Sequence, residues 1–175
     1  MFKVIKQDFF ERPADIVAKD LLGKRIVRLN KDGSVLADFI ISETEAYLGK
    51  DDKASHAYKG LTERTKVMYG PAGHFYVYLI YGMHYMLNIV TEKEAEPHAV
   101  LLRGALEVQG PGRLAKALKI DKRFNGLLAS QESLLFFAET DFDLSKYRIV
   151  RDKRVGIDYA EEWKDKKLRF ILKDV

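Results

Sequence analysis

Glu43, Glu45 and Tyr47 recur at every second position near the end of a run from Val35 to Tyr47 that reads as a β-strand. Strand side chains alternate faces, so these three share one, and Phe39 and Ile41 are expected to continue it as an apolar row. A carboxylate on a mostly buried face costs free energy unless it is paired or used. Burial beside a like charge raises its pKa, as acid–base chemistry near neutral pH requires. Glu43 and Glu45 could work as an acid–base pair, with carboxyls roughly 6–7 Å apart from strand rise, near the lower end for inverting sugar hydrolysis.

Other residues could shape a ligand site. Tyr76, Tyr78, Tyr81 and Tyr85 fall within ten positions. Tyr76 and Tyr78 share a face and could stack on a flat ligand, although aromatics are common in strands. Tyr81 and Met83 sit at a turn, where apolar side chains can wedge between bases. Asn88, among apolar residues, either satisfies backbone groups or reads the edge of a base. A buried Arg103 needs a carboxylate or phosphate, and both pairing with Glu43 and ligand contact stay open. His56 lies in a polar loop. The four histidines show no ligand spacing and no phosphate-binding glycine motif occurs, so neither metal nor nucleotide cofactor is expected. Gly110-Pro111-Gly112-Arg113 opens a helix whose free N–H groups could meet a phosphate or simply start the helix.

The elements that must hold these residues follow from pattern. Pro13 to Leu22 reads as a helix with an apolar stripe of Ile16, Val17, Leu21 and Leu22. Arg25 to Leu29 and Val35 to Tyr47 read as strands around Lys31-Asp32-Gly33. Leu48 to Leu61 reads as a loop and Thr62 to Tyr69 as one or two helical turns. His74 to Tyr81 and His84 to Thr91 are strands. Ala99 to Val108 is a strand apolar on both faces, hence central. Pro111 to Ile120 is a helix. Leu134 to Ala138, Tyr147 to Val150 and Leu168 to Leu172 are shorter strands. The sum is one α/β domain, residues 1–175, on a curved and largely antiparallel sheet with peripheral helices.

At 175 residues and 47% hydrophobic, the chain can bury a sizeable core. It has no Cys, which excludes disulfides and thiolate chemistry. No apolar run spans a bilayer and no signal-peptide pattern opens the chain, so a cytoplasmic protein without membrane contact is expected. Net charge is +4. Basic residues gather at 113–123 and 146–154, as a polyanion partner requires or as a solvated surface shows.

These motifs, in this order, resemble the alkyladenine (3-methyladenine) DNA glycosylase family. The residues that carry the resemblance are Glu43-Thr44-Glu45-Ala46-Tyr47-Leu48-Gly49, Ser55-His56-Ala57, the run from Gly73 to Met83, Leu87-Asn88, Leu101-Leu102-Arg103, Gly110-Pro111-Gly112-Arg113-Leu114 and Arg154-Val155-Gly156-Ile157. The likeness runs from about Phe9 to Phe170. It implies a monofunctional base-excision repair enzyme that hydrolyses the N-glycosidic bond of flipped-out alkylated or deaminated purines, without metal or cofactor. Its partner would be double-stranded DNA containing damaged purines, and it would act as a monomer, nucleoid-associated if prokaryotic. By this resemblance Glu45 activates water and Arg103 supports it and the nucleotide. Tyr47, His56 and Tyr78 line the base pocket, and Asn88 excludes the 2-amino group of guanine. Tyr81, with Met83 beside it, fills the vacated stack, and Arg113, Lys122 and Gly156 follow the DNA backbone. A non-catalytic base-binding module is the alternative. Thr62-Glu63-Arg64-Thr65 departs from the family's Thr-Pro-Arg-Asn, placing Glu63 near the expected DNA face. Leu106 to Gln109 is shorter than the family's connection.

Overall fold

The computed structural model describes residues 1–175 as eight strands and two α-helices linked by turns and short 3-10 segments. The strands are β1 (Arg25–Leu29), β2 (Val35–Leu48), β3 (Phe75–Ile80), β4 (His84–Thr91), β5 (His98–Ala105), β6 (Leu135–Ala138), β7 (Tyr147–Asp152) and β8 (Arg169–Asp174). The helices are α1 (Ala14–Asp20) and α2 (Pro111–Ala117). They form one α/β domain on a sheet ordered β3-β4-β5-β2-β1-β6, and every pairing is antiparallel. The length of β2 lets one edge serve two neighbours, β1 over its first half and β8 over Glu43–Glu45. β7 continues outward from β8.

Period-two alternation sorts the middle of the sheet into a core face and an open face. Phe75, Val77, Leu87, Ile89, Val100 and Leu102 join the main core. Their odd-even neighbours Tyr76, Tyr78, Met86, Asn88, Leu101 and Arg103 line a cleft instead. β5, apolar on both faces, lies between β4 and β2 as its composition predicts.

β2 does not hold one alternation throughout. Ile41 pairs with Ala105 and Glu43 with Gly104, so Ser42 is an extra residue in β2. The pairing then skips Arg103, since Thr44 opposes Leu102. Ala37 and Ile41 face the core before this bulge, and Ala46 faces it afterwards. Thr44, on that same side, donates to the Ala18 carbonyl of α1 at 2.8 Å. The expected row of Phe39, Ile41, Glu43 and Glu45 is therefore broken. Phe39 and Ile41 pack into the core while Glu45 and Tyr47 face the cleft. Bulges that re-aim side chains are frequent beside functional sites.

Three further expectations change. In α1 the buried residues are Ala14, Val17 and Ala18, continued by Leu21 and Leu22, whereas Ile16 is exposed. α2 stops at Ala117 rather than Ile120, and Lys119 beyond it adopts φ +51°, which a helix cannot continue. β5 ends at Ala105 rather than Val108, because Ala105 and Val108 exchange hydrogen bonds in a tight turn. The stretch 48–61 also contains two 3-10 segments, Gly49–Asp51 and His56–Lys59, with a fully buried Asp52 between them.

Candidate active site

The open faces of β2 to β5, with the segment after β7, enclose a cleft of about 550 Å³. That volume suits a small organic ligand. Glu45 is the only carboxylate in its lining and is fully buried. Three donors reach it: the Val155 backbone N–H at 2.7 Å, the Tyr47 hydroxyl at 3.2 Å and the Arg103 guanidinium at 3.4 Å. Burial raises its pKa, and Arg103, the Val155 N–H and Tyr47 pull against that rise. A carboxylate so placed can accept a proton from water and stabilise nearby positive charge. Burial and the Glu45 charge also push the Tyr47 phenol well up, so it donates and does not ionise.

Of the two readings of Arg103, the structure shows the pairing with Glu43. Arg103 lines the cleft, and it bridges Glu45 to Glu43, 3.3 Å away. Glu43 also takes Arg169 at 2.9 Å and lies outside the cleft lining, so it is a paired charge and not the second member of an acid–base pair.

The Val155 N–H is aimed by its neighbours. Arg154 is buried and forks onto Asp52 at 2.6 and 2.9 Å, donates to the Ala46 carbonyl at 2.9 Å and lies over the Tyr47 ring at 4.8 Å. Arg169 holds the Lys153 carbonyl at 2.7 Å. The segment is thus fixed at the two residues that precede the one touching Glu45.

Apart from Glu45 and Arg103, the cleft walls carry no charge, and Tyr47, Tyr76, Tyr78 and His56 make them largely aromatic. His56 accepts from or donates to the Tyr76 hydroxyl at 2.8 Å, and its ring meets Tyr78 edge-on at 4.6 Å. Burial, helped by the charges of Arg64 and Lys59, lowers its pKa to about 4, so His56 is neutral at pH 7. Asn88 is buried and gives its amide N–H groups to the Tyr76 and Met86 carbonyls at 3.1 and 3.4 Å. Those two acceptors fix which way the amide points, while Asn88 still lines the cleft. No three His, Asp or Glu side chains converge in a way that could hold a metal ion.

Tyr81 is 90% exposed at the β3–β4 turn and reaches the cleft mouth. Its φ of +51° is uncommon for a bulky residue and holds the ring outward at the tip, with exposed Met83 beside it. Gly156, at φ +75°, lines the cleft next to Val155. Arg113 is exposed at the start of α2, beside the cleft residue Pro111. Lys122 sits farther off, exposed on a 3-10 turn (Lys122–Phe124) that packs on β3, and it does not line the cleft. Both basic stretches are partly paired. In the first, Arg123 takes Asp121 while Arg113, Lys116, Lys119 and Lys122 have no carboxylate partner; in the second, Arg154, Lys153 and Lys146 pair with Asp52, Asp165 and Asp143 while Arg148 and Arg151 do not. Glu63 is likewise taken by Lys66 at 2.9 Å.

Sequence reasoning missed Asp52, Arg169 and Tyr159 and counted Arg154 among surface cations. Tyr159 is exposed at the cleft mouth and donates to the Ala54 carbonyl at 3.2 Å. A signal existed only for Arg154, through its place in the Arg-Val-Gly-Ile motif.

Comparison with known proteins places the chain among its relatives. The family model for methylpurine-DNA glycosylase matches residues 8–109 and 106–175. The match divides at the short connection of residues 106–109. A protein of Legionella pneumophila (strain Lens), provisionally named a 3-methyladenine DNA glycosylase, is 47% identical over 180 residues, covering 97% of this chain and 94% of the relative. Proteins of the same provisional name from Natranaerobius thermophilus and Methanocella arvoryzae are 44% and 40% identical, covering 95% and 91% of this chain and 94% and 87% of theirs. With a family match that spans almost every residue and relatives this similar over nearly full length, the chain belongs to the methylpurine-DNA glycosylase family of DNA-repair enzymes.

Proposed function

We propose that this DNA glycosylase hydrolyses the N-glycosidic bond of alkylated or deaminated purines flipped out of double-stranded DNA, with water activated by Glu45. The observation that carries the proposal is a buried, triply hydrogen-bonded carboxylate on the floor of an aromatic cleft. A base within a duplex is out of reach, so it must leave the stack. Tyr47, Tyr78 and His56 would enclose it, and Asn88 would stand at its edge and exclude the guanine 2-amino group. Departure of the base leaves an oxocarbenium-like sugar, which the Glu45 carboxylate would stabilise while deprotonating the attacking water. Arg103 would keep that carboxylate in place and support the flipped nucleotide. Tyr81, with Met83, would fill the vacated stack. Arg113, Lys122 and Gly156 would follow the backbone, and the enzyme would act as a monomer.

The test is single-turnover reaction with a duplex carrying one hypoxanthine, in EDTA, followed by alkali. Strand breaks that need alkali are the expected result. Tight binding without breaks, on this duplex and on methylated DNA, would replace the enzyme by a base-binding module.

Two further outcomes follow from the geometry. Glu45 must be ionised to accept a proton, and burial raises its pKa. Excision of a cationic methylpurine should therefore fail as pH falls, with a midpoint above the 4.5 of an ordinary glutamate. A rate that stays flat as pH falls until the protein unfolds would remove Glu45 from the chemistry. Tyr81→Ala deletes the ring at the tip without touching the core, because Tyr81 is exposed. It should lower the extruded population at least several-fold, at a cost of about 1–3 kcal/mol of lost stacking. A fluorescent base analogue in the duplex reports this directly, and an unchanged signal would leave Tyr81 without a wedge role.

A further inference from the structure

One cation beside the cleft is not used by the chemistry above. Arg64 lies in the turn before the 3-10 segment Lys66–Tyr69, exposed and without a carboxylate, since neighbouring Glu63 is held by Lys66. Its guanidinium carbon sits over the Tyr78 ring, 5.3 Å from the centroid. The same ring already meets His56 at 4.6 Å and Tyr76 at 5.3 Å. Arg64 and Lys59 also line a second hollow of about 580 Å³ that shares Ser55, His56 and Tyr159 with the cleft. Lys53 in that hollow is matched by Glu161 and Glu162, which leaves Arg64 and Lys59 as its unopposed charges.

We infer that Arg64 sets the charge selectivity of the base site, disfavouring cationic alkylpurines relative to neutral damaged bases on Tyr78. An aromatic ring attracts a cation through its electron-rich face. Here that attraction is already engaged by a guanidinium, and a second cation stacked on the ring meets like-charge repulsion through it, which the exposure of Arg64 weakens but does not remove. A neutral base stacks without that cost. Glu45 cannot offset it fully, because its charge is already shared with Arg103.

The inference rests on the glycosylase reading, so its test uses two readouts. The first is single-turnover release of 3-methyladenine from methylated duplex against release of hypoxanthine. The second needs no turnover: the ratio of affinities for 1-methyladenosine, a cation at neutral pH, and adenosine, by NMR titration. Arg64→Gln should raise both cation-to-neutral ratios by about 3–20-fold. Arg64→Lys, which keeps the charge, should stay near wild type. Unchanged ratios in Arg64→Gln would overturn the proposal. In that case, equal loss on both duplexes with a shallower salt dependence would make Arg64 a phosphate contact. A shifted nucleoside ratio in a protein that cleaves neither duplex would uphold Arg64 and count against the glycosylase reading alone.

Discussion

Glu45→Gln lowers the single-turnover excision rate by about 10²–10⁴-fold, the range of a lost general base, while duplex affinity holds. The amide keeps the shape of the carboxylate and one hydrogen-bond acceptor. It cannot take a proton from water, and it offers no negative charge to a developing oxocarbenium ion. The variant should fold, because the cleft wall is held by contacts that do not pass through Glu45. Those contacts are the Arg154–Asp52 fork, the Arg169–Glu43 pair and the sheet itself. Rates with alkali readout, duplex binding by anisotropy and a melting curve together check it. Turnover within a few-fold of wild type would transfer the role of base to another group.

Asp52→Ala carries the largest expected effect on stability. The Asp52 carboxylate accepts from Arg154 twice and from the backbone N–H groups of Leu48 and Ala54, at 2.9 and 3.0 Å. Both side chains of the ion pair are fully buried. Deleting the anion leaves a buried guanidinium without its counter-charge and two amides without acceptors. Breaking such a pair costs about 3–5 kcal/mol. For a domain of this size the melting temperature should fall by about 6–20 °C. Activity should fall with it even below the new melting point, because Arg154 is the anchor of Val155. A calorimetric scan and a rate measured well below the transition separate the two effects. An unchanged melting temperature would mean that water replaces the carboxylate at Arg154.

What could be read in the sequence was what alternation and order encode. Tyr76 and Tyr78 on one face, Glu45 and Tyr47 on another strand, and the central β5 all follow from residues close together in the chain. So does the turn that carries Tyr81. What escaped was set by distant partners or by backbone irregularity. Asp52 reads as an ordinary polar residue in a loop, and nothing within ten residues of it announces a buried arginine 102 positions away. Arg169 is one basic residue among several near the end of the chain until Glu43 lies opposite it. The bulge at Ser42 has no proline or glycine beside it in β2, and the glycine that faces it, Gly104, lies on the distant β5. The bulge moves Phe39 and Ile41 to the core because α1 needs an apolar surface there. Glu43 looked like a catalytic partner for Glu45, yet two arginines neutralise it. Spacing alone cannot distinguish a working carboxylate from a paired one.

The surroundings of Glu45 are completed by groups far downstream. Val155 lies 110 residues beyond Glu45, and Arg169 lies 126 beyond Glu43. Contacts this long in sequence close late, after the local hairpins have formed. During synthesis at about 5–20 residues per second, roughly 6–25 s separates the emergence of Glu43 from that of Arg169. The tyrosines and the β3–β4 tip emerge early in that interval, whereas the amide that holds Glu45 emerges only with Val155, near its end. On the role proposed for Glu45, competence to cut a base from DNA arrives late, once the Val155 segment and β8 have docked beside β2.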